Sequence, residues 1–300
     1  IEPHAWLGYS SGETNALLAS GTWSDADALI AESESSGLFT RELGGTFEAV
    51  EKTWGAPVRW ASWTLLASVA DVTAALASEE RVHLAIVHGD EECVVAGDED
   101  GCARVVEKVG RSRALRLGYP LAVHVPELDA VREGWLALHR RPTTPPAARF
   151  YTNATGGSYA PTPESCAEAI LGQANRTLDL RPTVLRAWED GVRVFVEHGP
   201  QAACGRWIRA ILGEREALVV SLDRKGQGLE ATLASEGYAV EAVADGEAAL
   251  AAWRRERPAL LILDIMMPGR DGYDVCRAIR ATDARVPILM LSAKSDEIDK

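Results

Sequence analysis

Ala5-Trp6-Leu7-Gly8-Tyr9-Ser10-Ser11-Gly12 carries a short apolar strand, Ala5 to Gly8, into a sharp turn, and Glu13 to Ser20 continues as a helix. Gly8 to Gly12 spells GxSxG at a strand-to-helix junction. Small residues on both sides allow the tight turn that lifts Ser10 clear of the sheet. The following backbone N–H, that of Ser11, and the helix N-terminus can then face a developing oxyanion. The competing reading is a chance flanking of one serine by two glycines; the strand before and the helix after argue against it.

Outward from this turn, the chain to about Leu212 mixes helix and strand patterns. Residues 59–110 read as a small inserted subdomain: a helix from Leu65 to Leu76, strands Val82 to Val87 and Cys93 to Ala96, and a helix Gly101 to Val109. Such alternation fits a compact sheet with helices on one face. A proline-rich loop (Arg140 to Ala148) leads to a strand at Phe150 to Thr155. Helices at Glu164 to Gln173 and Pro182 to Trp188 follow, then a strand from Arg193 to Glu197.

From about Ala217 the rhythm becomes regular. Strands are expected at Leu218 to Leu222, Ala239 to Val243, Leu260 to Leu263 and Ile288 to Leu291. Helices are expected at Gly228 to Glu236, Gly246 to Arg255 and Tyr273 to Thr282. Apolar strands separated by amphipathic helices are what a parallel sheet covered on both faces requires, so the chain is α/β throughout. Leu260-Leu261-Ile262-Leu263-Asp264 ends one such strand on a carboxylate, at the sheet edge where open α/β folds place their chemistry. An exposed Asp there can accept a phosphoryl group beside a divalent cation; alternatively it caps a turn.

Three hundred residues suffice for two ordinary domains. A formal net charge of -13 repels phosphate backbones and anionic lipid, which speaks against nucleic-acid and membrane partners. No apolar run is long enough to span a bilayer and no signal peptide is visible. Five scattered cysteines without CxxC spacing suggest reduced thiols and a cytoplasmic setting. The chain opens with Ile1 and stops at Lys300 just after a strand-like segment, so it reads as a fragment at both ends. Gly226 to Ala231 satisfies a loose GxGxxA, but Asp223-Arg224-Lys225 separate it from the strand end, against a dinucleotide fingerprint. The acidic turns Asp90 to Glu92 and Asp98 to Asp100 lack the alternating ligand pattern of a calcium loop.

A serine nucleophile needs a base. Of six histidines, His4 is too near the strand and His139 sits in a polar run. His83 and His88 lie with Asp90 in the small subdomain. His124 and His198 each end a strand, and spacing alone does not choose between them.

The run LGYSSGETNALLASGTWSDADALI resembles the nucleophile region of the acyl-CoA:carrier-protein acyltransferase domains of polyketide and fatty-acid synthases. AVHVPEL resembles their histidine motif, RFYTNATGG the strand after it, and GVRVFVEHGP their C-terminal strand and turn. The four pieces occur in family order, and the SSGE variant, with Tyr9 where many relatives have histidine, is similar to the polyunsaturated-fatty-acid synthase branch. The resemblance implies an α/β-hydrolase-like core over residues 1–222 with a ferredoxin-like insert near 59–110. It implies Ser10 as acylated nucleophile, His124 as general base, the Ser11 N–H in the oxyanion hole and His198 on a structural turn. Acyl-CoA would be the donor and the phosphopantetheine thiol of an acyl carrier protein the acceptor, with no cofactor. The family's N-terminal portion, which supplies an oxyanion-hole glutamine, would precede Ile1, so impaired activity is expected. Malonyl-selective members place an arginine twenty-five residues after the serine. That position is Ser35, between Glu32, Glu34 and Ser36; with Arg41 the nearby alternative, the expected acyl group is neutral.

LLILDIMMPGRDGYDVCRAIR closely resembles the receiver domains of two-component response regulators, with EGYAVEAVADGEAALAAWRRERPALLILD and VPILMLSAK as further pieces. This implies a flavodoxin-like, doubly wound parallel sheet over residues 223–300, with Asp264 as phosphoacceptor and Ser292 as switch hydroxyl. Asp223, Asp264 and the Met266 carbonyl would be Mg²⁺ ligands, and a histidine kinase the partner. Only one carboxylate, Asp223, stands where receivers carry an acidic pair, and their contacting lysine would lie past Lys300, so weak phosphorylation is expected. Leu218 to Glu230 reads equally as the end of the first domain or the first strand of the second, without an intervening linker. Two functional classes follow: a serine acyltransferase fused to a phosphorelay module, or a signalling response regulator whose acyltransferase part is an inactive relic.

Overall fold

In the computed structural model the described residues are 3–118, 120–199, 203–222, 231, 234, 238–264, 267, 270–283, 286 and 288–291. The chain forms two compact units, Pro3–Lys225 and Gly226–Lys300.

The first unit begins with β1 (Ala5–Leu7), α1 (Gly12–Ala19), α2 (Ala26–Ser36), a π-helical turn at Leu38–Glu42 and α3 (Glu48–Trp54). It continues through β2 (Trp60–Leu65), α4 (Val69–Leu76), β3 (Val82–Gly89), β4 (Glu92–Asp98), α5 (Glu99–Val109) and β5 (Ala114–Arg116). A 3₁₀ segment at Pro126–Val131 leads into α6 (Arg132–His139), followed by β6 (Arg149–Thr152), β7 (Gly157–Tyr159) and α7 (Pro163–Ala174). The unit closes with β8 (Leu178–Asp179), α8 (Leu180–Glu189), β9 (Val194–Glu197), α9 (Ala203–Leu212) and β10 (Leu218–Ser221).

β1 pairs in parallel with β6, and β6 antiparallel with β7. Trp23, Leu43, Val50, Val125 and Leu128 belong to the large core on one side; Tyr151, Leu180, Phe195 and Leu212 belong to a second cluster that also takes in Ala5 and Leu7 of β1.

The insert is a sheet of order β5-β2-β4-β3-β8. Its β2-α4-β3-β4-α5-β5 sequence is the β-α-β-β-α-β arrangement of ferredoxin-like folds. It has its own core of Leu65, Val72, Cys93, Val95, Cys102 and Val105, while Val94 and Ala96, on the other face of β4, join the large core. Both faces of β4 are therefore buried, which explains why Cys93 to Ala96 is apolar without alternation.

Two expected elements of this unit differ, and one ambiguous strand is assigned. Leu65 to Leu76 is not one helix: Trp60–Leu65 is a strand, and the helix starts after Ser68, whose side chain accepts from the Asp71 N–H at 3.1 Å. The aromatic and β-branched residues of Trp60–Leu65 suit a ladder, and a serine cap marks the true helix start. His124 does not end a strand. Pro120 and Pro126 lack ladder donors, and the N–H groups of Ala122 and His124 go instead to Leu43 O at 2.7 Å and Ala174 O at 2.5 Å. Leu218–Ser221, readable two ways in sequence, pairs in parallel with β9 and so belongs to the first unit.

In the second unit β11 (Leu261–Asp264) and β12 (Ile288–Leu291) pair in parallel. Helices Gly246–Glu256 and Gly272–Arg280 contribute Leu250, Trp253, Val275 and Ile279 to its core. Each helix starts on an aspartate cap, Asp245 and Asp271, accepting from the N–H three residues on. The strand expected at Ala239 to Val243 is absent: this segment has no regular secondary structure, and Tyr238 and Val243 are exposed. The helix expected at Gly228 to Glu236 lies largely outside the described residues.

Candidate active site

Ser10 sits between β1 and α1 with a positive φ of 54°, a left-handed conformation that costs a non-glycine residue about 1–2 kcal/mol. The turn is over-determined. A Cβ on Gly8 would lie 2.1 Å from the Glu13 nitrogen, so only glycine lets the chain fold back on itself here. Gly12 N donates to Tyr9 O at 2.8 Å and Glu13 N to Ser10 O at 3.1 Å. Asn153 Nδ2 donates to Gly8 O at 2.7 Å, and Gln173 Nε2 to Ser10 O at 2.9 Å.

Beneath the turn lies Glu13, 3% exposed, whose carboxylate accepts from Thr152 Oγ1, Asn153 N and Asn153 Nδ2 at 2.7–3.0 Å. Its burial raises its pKa to about 7 against the opposing pull of those donors. The carboxylate ties the first turn of α1 to the end of β6.

The loop between the insert and α6 brings His124 to Ser10. Ser10 Oγ lies 2.8 Å from His124 Nε2, and His124 Nδ1 lies 2.7 Å from Gln173 O. A backbone carbonyl can only accept, so Nδ1 carries the hydrogen and Nε2 is free to accept from the serine. His124 is 4% exposed, and burial lowers its pKa to about 4, leaving a neutral imidazole at physiological pH. Its own φ is +62°, and the Gln173-Ala174 carbonyls at the end of α7 hold it in place. The Ser11 N–H, at the open side of the turn, has no acceptor among the described residues.

The other sequence candidates separate. His198 is exposed just after β9. His83 bonds Glu127 at 2.8 Å, His88 bonds Tyr9 at 2.7 Å, and Asp90 pairs with Arg181 at 2.6 Å, so the three do not converge. No group of three or more His, Cys, Asp or Glu side chains is placed to hold a metal ion among the described residues. Ser35 is exposed on α2, and its hydroxyl bonds its own helix at Glu32 O. Arg41 pairs with Glu42 and Glu48 at 3.4 and 3.5 Å. Arg141 is buried and committed to Asp25 and Glu32. In the second unit Asp264 ends β11, as its sequence context predicts; Asp223, Met266 and Ser292 lie outside the described residues.

Glu13, Asn153 and Gln173 belong to no motif that marks them as site residues in the sequence. Glu13 left a trace, an acid in the first turn of the helix after the serine. Gln173 left a fainter one, a polar residue on a buried stretch of α7.

Residues 225–300 match the family model of the response regulator receiver domain. Over 71 residues the chain is 48% identical to the transcriptional regulatory protein AfsQ1 of Streptomyces coelicolor and 49% identical to the DNA-binding response regulator MtrA of Mycolicibacterium smegmatis. The matched part is 24% of this chain and 31% of each relative, so the chain spans about a third of the length of the curated relatives it matches. The rest of the molecule has the acyltransferase fold. The acyltransferase domain from the second module of the salinomycin polyketide synthase superposes with a TM-score of 0.60 at 24% identity, covering 78% of this chain and 53% of that one. The loading acyltransferase of the avermectin polyketide synthase gives 0.63 at 23%, covering 79% and 72%. A malonyl-transacylase solved with its type II polyketide-synthase acyl-carrier protein gives 0.61 at 18%, covering 75% and 70%. The chain therefore joins an α/β acyltransferase fold to a C-terminal receiver domain. No helix among the described residues is long and apolar enough to cross a membrane.

Proposed function

We propose that the first unit is a serine acyltransferase that moves an acyl group from acyl-CoA to the phosphopantetheine thiol of an acyl carrier protein. The observation that carries this reading is the Ser10–His124–Gln173 carbonyl array, with links of 2.8 and 2.7 Å. Ser10 Oγ attacks the thioester carbonyl as its proton passes to His124 Nε2. The Ser11 N–H and the start of α1 face the oxyanion. Collapse expels the CoA sulfur, which leaves as the thiol with the His124 proton. The carrier's thiol then gives its proton to His124 and attacks the ester, and Ser10 recovers its hydrogen. Gln173 O holds the tautomer in both halves of the cycle and stabilises the imidazolium.

The acyl group is neutral in this proposal. Ser35 offers no cation, and Arg41 and Arg141 are already paired with carboxylates. Five free cysteines suit a reducing, cytoplasmic setting. The test is transfer of an acetyl group from acetyl-CoA to a holo acyl carrier protein, read as a mass gain on the carrier. Transfer that vanishes in His124→Ala supports the mechanism; transfer that persists sinks it. Faster loading from malonyl-CoA than from acetyl-CoA would overturn the choice of acyl group.

The receiver match supports a second activity in the same chain, phosphorylation of Asp264 by a histidine kinase. Asp264 stands at the carboxyl end of a parallel strand, and an oxygen donor there suits a hard cation such as Mg²⁺, which would screen the phosphoryl charge. Asp223 and the Met266 carbonyl would complete its protein ligands.

A further inference from the structure

Tyr9 precedes the nucleophile, and its side chain points into a seam where three elements meet. Its hydroxyl lies 2.7 Å from Nε2 of His88, at the end of β3 in the ferredoxin-like insert. The His88 ring stacks on Trp207 of α9 with centroids 3.7 Å apart and planes within 5°, and the Tyr9 ring tilts against both. Trp207 Nε1 donates to Glu92 at 3.0 Å, and Arg206 donates to the same carboxylate at 2.7 and 3.1 Å. His88 Nδ1 lies 3.3 Å from Glu92 Oε1 without the alignment of a hydrogen bond.

The Glu92 carboxylate beside His88 Nδ1 favours a proton on that nitrogen and leaves Nε2 to accept. Burial, with Cys204 and Glu92 nearby, pushes the Tyr9 phenol well above its ordinary value, so it stays protonated and donates. Burial holds His88 down at about 4, so the imidazole is neutral, accepts at Nε2 and turns its Nδ1–H toward Glu92. The same order holds one residue along, where Ser10 donates to His124 Nε2 and His124 Nδ1–H to a carbonyl.

Taking the acyltransferase reading as its basis, we propose that His88 is a positioning residue for Ser10, acting through Tyr9, so that the insert sets the aim of the nucleophile. Ser10 holds a strained φ, which persists only while both neighbours are fixed. Gly8 is fixed by its close packing and by Asn153. The side chain of Tyr9 is fixed by His88, which reaches it from 79 residues away. His88 is 4% exposed, so it works on the turn rather than on a substrate.

The experiment compares wild type, Tyr9→Phe, His88→Phe, the double variant and Ser10→Ala with two reagents. Phenylmethylsulfonyl fluoride sulfonylates the serine with loss of fluoride and its proton, and so reports nucleophile alignment without any CoA. Acetyl-CoA reports the proposed reaction. Phenylalanine at position 88 keeps the stack on Trp207, and Tyr9→Phe removes a single oxygen, so it carries the test if His88→Phe does not fold. Each single variant is expected to lower the rate constant for Ser10 modification by about 10- to 100-fold with an unchanged KM for acetyl-CoA and a near-native melting temperature. The double variant should be no slower than the worse single one. Rates within about twofold of wild type, or losses that multiply, overturn the proposal. Wild type that reacts with the sulfonyl fluoride but with no acyl-CoA sinks the transferase reading alone, and the sulfonylation rates still decide this inference. Wild type inert to both reagents overturns both.

Discussion

Ser10 and His124 are 114 positions apart in the chain and 2.8 Å apart in space, and what each does rests on backbone that disfavours most residues. Both have positive φ, a cost that persists only where the surrounding structure over-determines it. The environment of His124 predicts an unusual pH profile. Because burial lowers its pKa to about 4, acylation of Ser10 should be flat from pH 5 to 8 and fall only near pH 4, where the imidazole takes up a proton and can no longer accept from serine; a rate profile with a midpoint near 6.5 would contradict this. Glu13 acts in the opposite sense on stability. Its folded pKa, raised from 4.5 to about 7, means that the folded state binds its proton more tightly than the unfolded chain does. The resulting stability is fully present below about pH 4.5 and is lost as pH rises through 7. Denaturant melts should show Glu13→Gln less sensitive to pH than wild type across that window.

At the scale of elements, the turn between β1 and α1 is closed so tightly that it admits no Cβ at its first glycine. Gly8→Ala should cost about 3 kcal/mol or more in chemical denaturation, because the new Cβ meets backbone atoms that cannot rotate away. Asn153→Ala, which removes the donor to both Gly8 O and Glu13, should cost about 1–3 kcal/mol and slow acylation as well. The turn was legible in the sequence because its chemistry is local: GxSxG states its geometry within five residues. The insert was mostly legible for the same reason, apart from Trp60–Leu65, a strand whose last residue runs on into the apolar stretch before the next helix. His124 could not be chosen from spacing, since a loop fixed by α7 carbonyls has no periodicity, and only a family resemblance pointed to it. Asn153, Gln173 and His88 act through contacts between distant segments, which no local pattern records. The strand expected at Ala239 to Val243 shows the reverse failure, a local apolar pattern with no ladder partner among the described residues.

In the whole molecule, every residue of the Ser10 array comes from Pro3–Lys225, and Asp264 comes from the other compact unit. Incubation with acetyl phosphate and Mg²⁺ should add one phosphoryl group, lost in Asp264→Asn, while that variant still reacts at Ser10. Retention of the phosphoryl mass in Asp264→Asn would remove Asp264 from its proposed role. Whether Ser10 forms an acyl ester is decided by the intact mass of the 300-residue chain after incubation with acetyl-, malonyl- and longer acyl-CoAs. A neutral acyl-CoA should leave an acyl-sized increment that is absent in Ser10→Ala. An increment that survives in Ser10→Ala, or none from any donor, would contradict it.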